Sequence, residues 1–295
     1  MSNTMPSRAS AVVRSRVTPL LVLAGVGALA STASADVIFG VTSTERLVSF
    51  DSAAPGVIST NVAISGLRAN ETIRGIDFRP LTGGLFGLGS SSRLYLINPT
   101  TGNAVAVDPA GFTPMLSGTN FGFDFNPTID RIRVVGNDDQ NTVLNPGTGA
   151  GTAATGVFYA PGDPNSGANA SIVGSAYDRN FVGGVTSQLY GIDSNLGILV
   201  KQANSAGTLT TVGALGTDFG NDVGFDITAG GTAYVTNRLS FAPQTHFFTV
   251  NLLTGQTSLA GIVGDSLSLD AIAATPAPGS LALLGVAGLL ARRRR

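Results

Sequence analysis

Leu94-Tyr95-Leu96-Ile97-Asn98-Pro99-Thr100-Thr101-Gly102 reads as an apolar strand that runs into a tight turn. An Asx side chain bonds its own backbone two residues on, and glycine accepts positive φ, so the stretch carries its own turn chemistry. The chain repeats it. Asp51, Asn98, Asn145, Asp193 and Asn251 each close an apolar run, at steps of 98 − 51 = 47, 145 − 98 = 47, 193 − 145 = 48 and 251 − 193 = 58. Gly102, Gly149, Gly197 and Gly255 follow four residues later, while Pro55-Gly56 turns the first copy.

A second motif interleaves with the first: Gly75-Ile76-Asp77-Phe78, Gly122-Phe123-Asp124-Phe125 and Gly224-Phe225-Asp226-Ile227. Gly174-Ser175-Ala176-Tyr177 is a degraded copy, and Leu269-Asp270-Ala271-Ile272 is read as the last, with Asp270 at the Asp position. Periods of about 40–50 residues with several short strands each are the mark of a β-propeller, one four-stranded sheet per blade. The chain opens on the strand-turn motif and closes on the inner-strand motif, so neither end holds a whole blade. Pairing the C-terminal strand, Leu267 to Ala274, with the N-terminal strands completes one blade and removes two sheet edges. The expectation is an all-β, five-bladed β-propeller over residues 36–274. Six blades is the alternative if the long last step hides a unit; otherwise Asn237 to Gln244 is an excursion loop. The fourth strand of the Phe121 blade is placed at Gly156–Tyr159.

Both ends carry address labels. Arg8, Arg14 and Arg16 precede an apolar run from Val17 to Ala30, and Ala33-Ser34-Ala35 fits a signal-peptidase box, so residues 1–35 read as a signal peptide cut before Asp36. No Arg-Arg pair is present there, which points to the Sec route. Residues 275–295 form a linker, a short apolar segment and an arginine cluster. The segment from Ser280 to Ala291 is about half the ~20 residues needed to span a bilayer, and Arg292, Arg293 and the two arginines after them favour the cytoplasmic side. Without these ends, ten Lys and Arg stand against eighteen acids, 10 − 18 = −8, which argues against nucleic acid as a partner. Cysteine is absent, so neither disulfides nor thiolate chemistry is available.

The tail resembles the bacterial PEP-CTERM sorting signal, with Pro276-Ala277-Pro278 where that family has Pro-Glu-Pro. The resemblance implies an exosortase-type sorting enzyme, transient membrane anchoring, and a surface or extracellular destination in a Gram-negative-type bacterium. Gly75 to Pro80, Gly122 to Pro127, Asp130-Arg131-Ile132-Arg133-Val134-Val135 and Thr208 to Gly216 together resemble the domain of unknown function 4394 family, a match running from about Phe39 to Ile262. That family carries no assigned activity.

Four groups of residues offer chemistry. Asp77, Asp124 and Asp226 sit on innermost strands, so they can ring the axis and hold a cation, or act as acid and base in a glycan hydrolase. The structural reading has each carboxylate hydrogen-bonded in a blade seam. Arg131 and Arg133 share one strand face and can clamp an anionic ligand or pair with acids such as Asp124. Asn137, Asp138, Asp139 and Asn141 form the most oxygen-rich loop, open to Ca²⁺ but without the EF-hand glycine and glutamate. His246, the single histidine, has no G-x-S-x-G elbow to serve and reads as incidental. The function expected from these readings is a non-catalytic module binding a glycan or a surface protein at one mouth of the ring. A hydrolase using the axial carboxylates is the alternative.

Overall fold

The computed structural model describes residues 1–2, 35–238, 244–264 and 266–276. Four strands open the repeat most clearly: β4 (Ile73–Phe78), β5 (Leu85–Gly89), β6 (Arg93–Ile97) and β7 (Ala104–Ala106) form an antiparallel sheet in sequence order. The same meander returns in β8 (Phe121–Asn126), β9 (Arg131–Gly136), β10 (Asn141–Leu144) and β11 (Gly151–Ala153), and in β17 (Val223–Ile227), β18 (Ala233–Arg238), β19 (Thr245–Val250) and β20 (Thr257–Ile262). A fourth sheet holds β13 (Ile172–Tyr177), β14 (Leu189–Asp193), β15 (Ile198–Gln202) and β16 (Thr208–Ala214), with the two-residue β12 (Phe158–Tyr159) parallel to β16 at its edge. The last sheet joins the ends of the domain: β21 (Leu269–Ala274) pairs with β1 (Val37–Thr42), which continues into β2 (Arg46–Asp51) and β3 (Ala54–Ala63). These are the five blades of a β-propeller, numbered 1 (β21, β1–β3), 2 (β4–β7), 3 (β8–β11), 4 (β13–β16) and 5 (β17–β20).

Each blade is too thin to own a core, and strand alternation sends its two faces into two seams. The buried apolar residues accordingly fall into five clusters, one per seam. Leu85 and Ile97 of blade 2 pack with Val41 and Leu47 of blade 1, whereas Phe86 and Leu88 pack with Phe123 and Ile132 of blade 3. The ring closes with Ile38 and Phe50 of blade 1 against Tyr234 and Phe247 of blade 5. Outermost strands β3 and β20 are mostly exposed, as expected where one face has no neighbour.

The turn chemistry works as the repeat predicts. Asn98 Oδ1 accepts the amides of Thr100 and Thr101, Asn251 Oδ1 those of Leu253 and Thr254, and Gly102 and Gly255 adopt φ of 73° and 84°. One copy, however, occupies a different place. Asp51, Asn98, Asn145 and Asn251 join third to fourth strands, whereas the Asp193 turn joins β14 to β15, the second to the third. The equivalent turn of blade 4 begins at Ala203, whose amide bonds Thr208 O as Asn98 bonds Asn103 O, and ends at Gly207 with φ of 71°. The long step is therefore 203 − 145 = 58, and 251 − 203 = 48. The extra residues lie ahead of blade 4, not in blade 5. They include Phe158–Tyr159, which pairs with β16 of blade 4 and is not the fourth strand of blade 3; that strand is β11. Most of the expected excursion loop, 239–243, lies outside the described residues.

Candidate functional site: a carboxylate layer on the axis and an apolar rim

The innermost strands β21, β4, β8, β13 and β17 surround the axis and approach closely. A Cβ on Gly75 would lie 2.6 Å from Cβ of Phe123, and one on Gly224 2.7 Å from the amide nitrogen of Ile272, so each of these glycines lets the next blade in. Two residues further along the same strand faces come the aspartates.

Each aspartate clasps the next blade. Asp77 accepts the Phe125 amide of blade 3 at 2.7 Å, Asp124 the Tyr177 amide of blade 4 at 3.0 Å, and Asp226 the Ala274 amide of blade 1 at 2.5 Å. Asp77 and Asp226 also each accept the amide that follows them, from Phe78 and Ile227. The seam bonds expected of a repeated carboxylate are thus present. They also bring the three together: one oxygen from each lies within 4.8 Å of the others, and the residues are 1 %, 1 % and 2 % exposed. Burial pushes all three carboxyls upward. Asp226 beside Asp77, and both neighbours beside Asp124, add to the rise, while Asp226, held down in part by its two amides, stands at about 6. In blade 1 the equivalent position is Ala273, because it is Ala274, the next residue, that Asp226 clasps. Asp270 lies three residues earlier, within 3.7 Å of Arg238.

The axis beside this layer is nearly closed. A cavity of about 10 Å³ lies among Gly75, Gly122, Ser175, Gly224 and Ile272, room for about one water. A bond from Asn120 Nδ2 to Asn221 O, 2.9 Å long, links blade 3 to the loop that leads into blade 5. A sugar ring does not fit such a space, and the carboxylates there can hold protons or an ion.

The other sequence-derived residues do not join them. Arg133, 3 % exposed, donates to Asn141 Oδ1 and to Ser205 Oγ of blade 4, and Arg131 donates to the Asp130 carbonyl. Asn137 Oδ1 accepts the Thr119 and Asn120 amides, Asp138 Oδ1 the Gln140 amide, and Asn141 donates to Thr155 O and Asn204 O. Asp139 takes φ of 69° in this hairpin. Asn137, Asp138 and Asn141 each spend an oxygen on the protein, while Oδ1 of Asp139 is buried without a hydrogen-bond partner among the described residues. His246 stacks on Phe248 at 6.3 Å. Of the processing positions, Ala35 and Pro276 are described; Ala33, Pro278, Arg292 and Arg293 lie outside the described residues.

Sequence reasoning missed a second feature. The loops after the inner strands of blades 2, 3 and 4 meet in a groove of about 200 Å³ lined by Pro80, Leu81, Pro127, Thr128, Asp130 and Val182. Arg79 and Asp130 hold two of these loops together through an ion pair with a 2.8 Å Nε bond. Leu81 and Ile129 are each 56 % exposed and Val185 91 %. The available signal was the apolar residue directly after each Arg79-Pro80 and Asn126-Pro127-Thr128 turn, where a hairpin normally places a polar one.

Comparison with known proteins adds a family and no activity. No curated protein matches the chain. Similar solved structures include a protein of unknown function from Bacteroides thetaiotaomicron (12 % identity, 84 % of this chain, 68 % of that one, TM-score 0.47). A chain of the nidogen–laminin complex is also similar (10 %, 82 % and 98 %, TM-score 0.47), as is a protein from Lactobacillus plantarum (18 %, 80 % and 70 %, TM-score 0.40). At these values none of them informs what this chain binds. Residues 46–273, most of the propeller, match the family described as domain of unknown function (DUF4394), and the chain belongs to that family.

Proposed function

We propose that the protein is an exported, surface-sorted propeller that binds another envelope or matrix protein, without catalysis, through the apolar rim of blades 2 to 4. The observation that carries this reading is the groove among Pro80, Leu81, Pro127 and Val182, with exposed aliphatic side chains around it. Apolar pockets rimmed by polar groups suit the anchoring side chains of a protein partner. Pro80, Leu81, Pro127 and Val182 dominate the lining, no aromatic ring is among them, and the chain contains no Trp, so a protein fits the groove better than a glycan. Export and sorting rest on the sequence at the two ends: signal peptidase acting after Ala35, then an exosortase-type enzyme acting on the tail that begins near Pro276. The inner strand β21 ends at Ala274 on the same face as the groove, since its last amide takes the same clasp as those of the other inner strands. A partner held at the envelope is therefore the natural occupant.

The test is a photo-cross-linking residue placed at Leu81 in the exported protein, in the bacterium that makes it, with Leu259 on the outer strand of blade 5 as control. One discrete protein adduct from position 81 and none from 259 is expected, together with silence on a broad glycan array. Absence of an adduct at 81, or a strong glycan signal, overturns the reading.

A further inference from the structure

The blade clasps leave the axial carboxylates incompletely satisfied. Five backbone amides serve their six oxygens: Phe78 and Phe125 on Asp77, Ile227 and Ala274 on Asp226, and Tyr177 alone on Asp124. Among the described residues no amide or cation reaches Oδ2 of Asp124, although the residue is 1 % exposed, and its only side-chain bond is carboxyl to carboxyl with Asp226. Among the described residues the salt bridges run from Arg79 to Asp130 and from Arg238 to Asp222 and Asp270, and none reaches these three. Three carboxyls buried this close cannot all stay ionised unaided: they hold protons, or a cation takes the protons' place.

A second feature lies on the axis beside the carboxylates. Where blades 1, 2, 3 and 5 put Ile272, Ile76, Phe123 and Phe225, blade 4 puts Ser175. Its hydroxyl is buried, has no partner, and lines the axial cavity of about 10 Å³. An orphaned hydroxyl where apolar packing was available has no use in the seam. It suits a water or an ion on the axis.

We propose that Asp77, Asp124 and Asp226 bind one calcium ion on the propeller axis, with Asp124 Oδ2, the one oxygen that no amide serves, as a ligand and the Ser175 hydroxyl in the adjoining cavity on the hydrated side. The donor set is all oxygen, which selects a hard cation. Two oxygens on one Ca²⁺ stand up to about 5 Å apart, twice the ~2.3–2.6 Å bond length, which accommodates oxygens within 4.8 Å of one another. Mg²⁺ demands a near-ideal octahedron at about 2.0–2.1 Å, tighter than carboxylates pinned by backbone amides can draw together, whereas Ca²⁺ accepts longer and less regular coordination. The ion would draw on carboxylates of blades 2, 3 and 5, which clasp blades 3, 4 and 1, so one ion ties the whole ring. In a protein without cysteine it does the work of a disulfide.

The test uses the full chain, unfolded with chelator and refolded with or without CaCl₂, so that slow entry to a closed axis does not mask binding. Elemental analysis after gel filtration is expected to find one calcium per chain. At free calcium a hundredfold above Kd, Tm is expected to rise by roughly 5–10 °C. Asp124→Asn keeps the oxygen that accepts the Tyr177 amide and should lose both effects; Ser175→Ala should weaken binding severalfold; Asp138→Asn, in the exposed hairpin, should change neither. No retained calcium with no Tm shift in the wild-type chain overturns the proposal. So does calcium retained undiminished by Asp124→Asn, and an equal or larger shift with MgCl₂ overturns the choice of ion.

Discussion

Replacing Asp226 with asparagine should change how stability depends on pH more than it changes stability itself. Asp226 is 2 % exposed, and burial raises its carboxyl from 3.8 to about 6 although two amides oppose the rise. A group whose pKa is raised by folding binds its proton more tightly in the folded chain. The folded state therefore gains from low pH, and stability falls as pH rises. The contribution is complete below 3.8 and gone once pH has risen through about 6, and it amounts to about 3 kcal/mol. Asp77 and Asp124 are raised partly by Asp226, so removing its charge relaxes them in the same direction. The amide side chain of the variant can accept only one of the two backbone amides that Asp226 now holds, those of Ile227 and Ala274, which costs about 1–3 kcal/mol at every pH. Urea unfolding of both proteins from pH 4 to 7.5, in chelator, separates the two effects. The stability of wild type minus that of Asp226→Asn should shrink by about 2 kcal/mol or more across that range. A difference that stays level, or grows with pH, refutes the reasoning: the carboxyl would then be ionised and satisfied in the fold.

Three further outcomes follow from the geometry. Gly122→Ala places a Cβ against the amide nitrogen and side chain of Ser175, and because backbone cannot yield it should cost about 3 kcal/mol or more, read as a Tm drop near 10 °C or failure to fold. Removing residues 269–274 deletes the inner strand of blade 1 and the Ala274 amide through which Asp226 holds blade 5 to it; the remaining chain should lose its cooperative unfolding transition in calorimetry. Arg79→Ala breaks the pair with Asp130 in a partly exposed loop and should shift stability by less than about 1 kcal/mol, measured by denaturant midpoint.

The architecture was legible because its signals are local and repeated. Asn98 and Asn251 make their turns with their own side chains, and the Gly-x-Asp motif marks the inner strands of blades 2, 3 and 5 whatever surrounds them. The same locality misled where chemistry recurs at a different topological position. Asp193 makes the same kind of turn as Asn98 by accepting two nearby amides, yet it joins a different pair of strands, and only pairing shows that Ala203 holds the repeat position. Asp270 looked like the last inner-strand aspartate, but the clasp from Asp226 to Ala274 sets the register and leaves Ala273 there.

Residue types and their period thus determined the strands, the number of blades and the sealing of the ring by its own ends, since each rests on backbone preferences acting within a few residues and on the removal of free sheet edges. Tertiary structure alone decided that Asp77, Asp124 and Asp226, up to 226 − 77 = 149 residues apart, meet within 4.8 Å, that Ser175 faces the axial cavity, and that Leu81 and Val182 share a groove. Those meetings depend on how five blades close around one axis, a distance between parts of the chain that no local preference encodes.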